Sequence, residues 1–327
     1  MVSCGGSLCR RTIEAEVKGA YRNLELPSKC CRRLLLILSF LILLFRPSAG
    51  FRALWTHKAV VRPNSVTHTR SVRLCSLRQP NGNFDQASRS MGDLQGEKMA
   101  SVKALLLKAD VVCFDVDSTV LTSEAIDDFA AFLGKGEEVA RLTKLAMEGG
   151  MKYEESLKLR LDAMQPSKQS VQHFVENDKL VLTDGVAEVI KRLLSRGTEV
   201  FLVSGGFREI IVPLAEKLGI GADHVFANTL LFKEDGSFDC FDPKQPTSRD
   251  MGKAAAMAQV RTRVAESKGK PEETVVALMV GDGATDLQAR PPADAVIGYG
   301  GICMREKVKN EADWFITEFA SLLDVLS

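Results

Sequence analysis

Two carboxylates, Asp115 and Asp117, stand at the end of the apolar run "VVCF", with Ser118 and Thr119 behind them. Acids at the end of a buried segment are costly unless they meet a cation or take part in a reaction. Two later apolar runs end in loops of equally distinctive chemistry, Ser204-Gly205-Gly206-Phe207-Arg208 and Gly281-Asp282-Gly283-Ala284-Thr285-Asp286. Between them, "DMGKAAA" supplies Lys253 at the start of a helical pattern. Together these groups suit phosphoryl transfer. A carboxylate can attack phosphorus and form an acyl-phosphate, which divides one difficult hydrolysis into two easier steps. Asp115 is the candidate nucleophile. Asp117 reaches the same point if the chain curls after the strand, and there it acts as general acid for the leaving oxygen and then as base for water. So much negative charge needs a hard cation, and Mg²⁺ is the oxygen-liganded ion that keeps several waters beside phosphate. Asp282 is the best further ligand, beside Asp115 and the backbone carbonyl of Asp117. Ser204, the Gly205 amide and Lys253 are suited to the phosphoryl oxygens whose charge must be held in the transition state.

Each piece alone has a plainer reading. A lone Asp-x-Asp is usually a solvated loop, and Ser-Gly-Gly or Gly-Asp-Gly is usually a turn. An EF-hand is excluded, because Val120 stands where glycine is needed and Ile126 where the bidentate glutamate belongs. Neither a P-loop nor a dinucleotide fingerprint occurs. The specificity lies in the ordered combination after three apolar runs.

The elements that must position these groups can be read around them. "ADVVCFDV", "EVFLVSG", "HVFAN" and "TVVALMVGDG" read as strands buried on both faces. Helical patterns separate them at 185–195, 207–218 and 253–268. This alternation predicts an α/β fold: a Rossmann-like parallel sheet with helices on both faces. Between the first strand and Leu182 the patterns are helical only, at 123–133, 137–147, 153–164 and 167–177, with Ser167 as an N-cap. The expected organisation is a core of 99–121 and 180–327, with a small all-helical cap of 122–179 over the end of the first strand. "FKEDGSFDCF" predicts a hairpin turning at Asp235-Gly236.

Residues 1–98 read as an address rather than a fold. They hold 16 Lys+Arg against 6 Asp+Glu, whereas residues 99–327 hold 27 against 36. The balanced total therefore conceals a basic leader on an acidic body, and bulk charge points to no nucleic-acid partner. Leu34–Phe45 is a 12-residue apolar run, too short for an ordinary membrane span, and Ser48 and Gly50 after it suit a signal-peptidase site. From Phe51 to Phe84 there are basic but no acidic residues. The combination resembles two-part plastid-targeting leaders; a signal anchor, or a start near Met91 or Met99 giving a cytoplasmic enzyme, are the alternatives. No C-x-x-C occurs, so the 8 cysteines indicate neither zinc nor a dithiol motif, and Cys113 is expected in the core.

"DVDSTV", "SGGFR" and "GDGATD", with Lys253 between the last two, resemble the haloacid dehalogenase superfamily and, within it, the phosphoserine phosphatases. "FDPKQPTSR", "ARPPADAVIGYGG" and "AMEGG" have the same look, so that the likeness runs from about Lys103 to Leu326. The resemblance implies the sheet, the cap, Mg²⁺ dependence and an aspartyl-phosphate mechanism, acting on the small molecule O-phosphoserine. It also implies roles for residues that would otherwise be anonymous. Glu124 would take the substrate ammonium and Arg160 its carboxylate, through two parallel hydrogen bonds. Met147 and Gly149 would line the cap, and Arg305 would stand near the substrate entrance. Gly206 and Thr285, in the two later loops, join the expected substrate-binding set. Relatives are often homodimers. Two departures, Glu148 and the Asp250-Met251 pair ahead of Gly252-Lys253, put substrate affinity in question. Transfer of the phosphoryl group to another alcohol is a second enzymatic reading; a silent scaffold is disfavoured because Asp115, Asp117, Lys253 and Asp282 are all present.

Overall fold

The computed structural model describes residues 84–177 and 180–327, with side chains from residue 95 onward except 147–149. The signal-like run, the cleavage positions and nearly all of the transit-like segment lie outside the described residues. The first element, α1 (Phe84–Leu107), crosses the boundary expected at residue 98. Residues 95–101 are exposed, and the helix gains its hold on the core only at Val102 and Leu106. A polar first half explains why composition assigned it to the leader.

Strand β1 (Val111–Phe114) follows, and after it α2 (Ala125–Phe132), α3 (Gly136–Gly149), α4 (Tyr153–Met164) and α5 (Lys168–Asn177). These four helices occupy the interval where only helical patterns were expected. A single antiparallel bridge between Leu121 and Leu182 joins the outgoing and returning chains at the neck of the insertion. Ser167 does cap α5, its Oγ accepting from Ser170 N–H at 3.0 Å. The chain continues through α6 (Val186–Ser195), β2 (Glu199–Phe207), α7 (Arg208–Lys217), β3 (Val225–Asn228), the hairpin β4 (Leu230–Phe232) and β5 (Phe238–Phe241), and α8 (Gly252–Lys268). It ends with β6 (Ala277–Gly281), α9 (Ala284–Leu287), β7 (Ala295–Tyr299), α10 (Glu306–Glu311), β8 (Trp314–Ile316) and α11 (Ala320–Leu326).

Six strands form a parallel sheet in the order β3-β2-β1-β6-β7-β8. Alternation along β1 explains its unbroken apolar run. Val112 and Phe114 face a core shared with α6, α7 and α11, whereas Val111 and Cys113 face Ala256, Met257 and Val260 of α8. Cys113 is wholly buried, and that burial pushes its thiol pKa well above the usual range. β7 and β8, of 5 and 3 residues, were not read as strands. The hairpin turns at Gly236, where φ is +81°, and the Gly236 carbonyl accepts from Lys168 N–H at the start of α5. Among the described residues, no helix is long and apolar enough to cross a membrane.

Candidate active site

Strand order selects the place of the site. From β1 the chain moves outward to β2 and β3, then returns to the other side of β1 for β6, so the loops after β1 and β6 diverge and leave a crevice. Asp115 N–H donates to the Val280 carbonyl at 2.8 Å, which locks the end of β1 to β6. The chain then curls: Asp117 is extended (ψ 132°), Ser118 is left-handed (φ 54°), and Ser118 N–H donates to the Ser123 carbonyl. This curl returns Asp117 to the same cavity as Asp115.

The cavity has a volume of about 870 Å³ and lies between core loops and α2, α3 and α4. On its floor, Lys253 Nζ stands 2.7 Å from Asp115 Oδ1 and 2.7 Å from Asp286 Oδ1. Burial alone would lower the Lys253 pKa, but these two carboxylates outweigh it and hold the ammonium well above its ordinary range. Asp286 accepts on its other oxygen from Gly283 N–H at 2.9 Å. Burial and the nearby Asp115 push its pKa up, against the pull of Lys253. Asp282 Oδ2 accepts from Arg305 Nε at 2.9 Å, and Nη2 of the same guanidinium lies 2.9 Å from that oxygen.

Asp117 Oδ1 accepts from Ala125 N–H at 2.8 Å, and its Oδ2 accepts from Ser204 Oγ at 3.1 Å. Burial first, then the carboxylates of Glu124 and Asp115, raise its pKa to about 7. A carboxyl so placed can carry a proton at neutral pH, as a general acid must. Glu124 accepts from Ser118 Oγ at 2.9 Å, and burial with the neighbouring acids raises its pKa too.

Asp115, Asp282 and Asp286 each offer an oxygen within 4.8 Å of the others, a buried all-carboxylate set suited to a hard cation. Asp286 already accepts on both oxygens, while Asp115 accepts through Oδ1 and Asp282 through Oδ2. Asp115 and Asp282 are therefore the better donors, and Asp286 serves to hold Lys253. The carboxylate of Asp117 is not a member of this set, because it is turned towards Ser204 and Ala125.

The haloacid dehalogenase-like hydrolase family model matches residues 109–294. The phosphoserine phosphatase of Drosophila melanogaster is 42% identical over 67% of this chain and 78% of its own length. The chain belongs to the phosphoserine phosphatase family of haloacid dehalogenase-like hydrolases. Another family member, the chloroplastic phosphoserine phosphatase of Arabidopsis thaliana, is 45% identical over 66% of this chain and 72% of its own. A solved substrate-bound phosphoserine phosphatase complex is 30% identical with a TM-score of 0.55, covering 67% of this chain and 99% of that one.

The structure brings together Asp115, Asp117, Glu124, Arg160, Gly205, Gly206, Lys253, Asp282, Thr285 and Arg305 around the one cavity. Ser204, fully buried, lies behind it and reaches it through Asp117. Two of these residues make defined contacts of their own. Gly206 N–H donates inward to Ser204 Oγ at 2.8 Å, so this amide shapes the loop instead of facing a ligand. Arg305 lines the same cavity, and its partly exposed guanidinium lies on Asp282, with Glu124 Oε1 3.7 Å away. Opposite charge inside a partly buried cleft accounts for this pairing. Met147 and Gly149 fall in the last turn of α3, and their side chains lie outside the described residues. Tyr153, Asn228 and Asp286 were given no role from sequence, and Asp250 entered only as a departure ahead of Gly252-Lys253. Only Asp286 carried a signal, as the last residue of the Gly-Asp-Gly loop.

Proposed function

We propose that this protein hydrolyses O-phospho-L-serine to L-serine and inorganic phosphate, with Mg²⁺ as cofactor and Asp115 as nucleophile. The observation that carries the reading is one cavity with Asp115, Asp117, Lys253 and Asp282 among its lining, with Glu124 and Arg160 among the further charged groups around it. Phosphoserine presents the matching groups: a phosphate, an ammonium and a carboxylate. The names of the curated relatives point the same way.

Asp115 forms a bond to phosphorus as the bond to the serine oxygen breaks, and Asp117 gives that oxygen its proton. Serine leaves, Asp117 takes a proton from water, and the resulting hydroxide displaces phosphate from Asp115. Lys253, held by Asp286, and the Gly205 amide balance the charge on the phosphoryl oxygens, and Ser204 joins them when its hydroxyl turns from Asp117. Asp115, Asp282 and the Asp117 carbonyl would hold Mg²⁺, which supplies fixed positive charge beside the phosphoryl group. Arg160 takes the substrate carboxylate, Glu124 its ammonium, and Gly206, Thr285, Met147, Gly149 and Arg305 complete the enclosure. In metabolism the reaction would be the last step of serine synthesis, in a plastid. The basic leader and the chloroplastic Arabidopsis relative support that location. A core of 99–121 and 180–327 under a cap of 122–179, and a homodimer, belong to the same reading.

The test is phosphate release from a panel of phosphomonoesters, with Mg²⁺ or with chelator, and with homoserine as a competing acceptor. Phosphoserine should be the preferred ester and chelation should abolish turnover. Preference for an ester lacking the amino-acid groups, or acceptor phosphorylation exceeding phosphate release, would reject the reading.

A further inference from the structure

Tyr153 opens α4 and is tied to the core at both ends. Its backbone N–H donates to Asp250 Oδ1 at 3.3 Å, and its hydroxyl donates to the Gly205 carbonyl at 2.9 Å. The same carbonyl accepts from Asn228 Nδ2 at 2.8 Å. Asn228 Nδ2 also lies 3.3 Å from the Tyr153 hydroxyl, and Asn228 Oδ1 accepts from Thr247 Oγ1 at 3.0 Å. A Cβ at position 205 would lie 2.5 Å from the tyrosine oxygen, so glycine is what admits this contact. Lys152, at the N-cap of α4, provides no side-chain cap, and the carboxylate of Asp250 reaches the first turn from the core instead.

Tyr153, Ser156 and Arg160 follow one another on a single face of α4 and all line the cavity. Arg160 Nε is 3.4 Å from the Ser156 carbonyl of its own helix, so the guanidinium travels with α4. The position of Arg160 over the core is therefore set by whatever fixes the start of that helix. Tyr153 is fixed to the loop that carries Ser204 and Gly205, the loop assigned to the phosphoryl oxygens.

We propose that Tyr153 is a positioning residue: its hydroxyl latches α4 to the Gly205 loop and so holds Arg160 at the distance that spans a phosphorylated amino acid. The proposal rests on the phosphoserine reading, in which Arg160 grips the substrate carboxylate. A phenylalanine could fill the same space but could not hold Gly205. The Asp250 departure acquires a partner here, the first turn of the same helix.

The test compares the wild type with Tyr153→Phe, Arg160→Ala and the double variant, on phosphoserine and on p-nitrophenyl phosphate, and measures amide hydrogen exchange across 152–164. Tyr153→Phe should lower kcat/KM for phosphoserine by about three- to tenfold, the scale of one neutral hydrogen bond, mainly through KM. The loss on p-nitrophenyl phosphate, which has no carboxylate, should be smaller. The double variant should be no worse on phosphoserine than Arg160→Ala, because the latch acts through that arginine. Exchange in the first turn of α4 should quicken. Unchanged kinetics, equal losses on the two esters, or additive losses in the double variant would overturn the proposal; equal losses would mean that the hydroxyl serves the phosphate loop alone. If the wild type does not cleave phosphoserine, the functional reading falls by itself. The exchange comparison then decides the latch, and unaltered protection in Tyr153→Phe refutes it.

Discussion

Asp115 is held by a backbone donor, Val116 N–H at 2.8 Å, and by Lys253 at 2.7 Å, so its replacement can be made without emptying a cavity. Asp115→Asn should fold with an unchanged circular dichroism spectrum yet lose turnover by at least about 10³-fold, because an amide is a far poorer nucleophile towards phosphorus. Near-normal turnover would remove Asp115 from that role. Arg160 lies on α4, apart from the strand-end loops that carry Asp115 and Asp282, and in the phosphoserine reading its effect should be selective. Arg160→Ala should reduce kcat/KM for phosphoserine by about 10²-fold or more, the value of a buried charge-assisted pair, and spare p-nitrophenyl phosphate by comparison. Equal losses on both esters would show that the arginine does not read the carboxylate.

Among the elements, α8 carries Lys253 one residue from its start, and that start is packed backbone to backbone. A Cβ on Gly252 would lie 2.5 Å from the Pro246 carbonyl oxygen and 2.8 Å from Thr247 Cα. Backbone cannot swing aside as a flexible side chain can, so either the short turn at Pro246–Ser248 or the first turn of α8 must move. Gly252→Ala should cost about 1–3 kcal/mol in stability by denaturant unfolding and should also lower kcat, since Lys253 moves with the helix. A full-rate, undiminished variant would mean that the two elements are less tightly coupled than their packing indicates. The sequence disclosed Lys253 and a helix after it; it did not disclose that glycine precedes it because two backbones touch there.

For the whole molecule, the question is how much of the chain the catalytic unit needs. The exposed first half of α1 buries nothing between residues 95 and 101, whereas Val102 and Leu106 are 3% and 1% exposed in the main core. A protein beginning at Met99 should therefore match the full chain in melting temperature and in kcat/KM. Leu106→Ala in that protein should lose about 2–5 kcal/mol, the usual result of emptying a buried leucine site. A Met99 start that unfolds readily, or a Leu106→Ala variant as stable as its parent, would place the edge of the folded unit elsewhere.

Asp115, Asp117, Lys253 and Asp282 were legible as candidates because each sits just after a strand or at a helix start, and Ser204 because it ends the apolar part of β2, where residue type reveals chemistry. The alternation of strands and helices likewise determined the sheet, since burial on both faces imposes continuous apolar runs. Tertiary structure alone decided which third acid meets Asp115 and Asp282, where Arg305 turns, and how Tyr153 ties α4 to Gly205. Arg305 and Asp282 are 23 positions apart, Tyr153 and Gly205 are 52, and Asp115 and Asp286 are 171. A distance in sequence says nothing about them; sheet order and packing of the helices bring their atoms within reach.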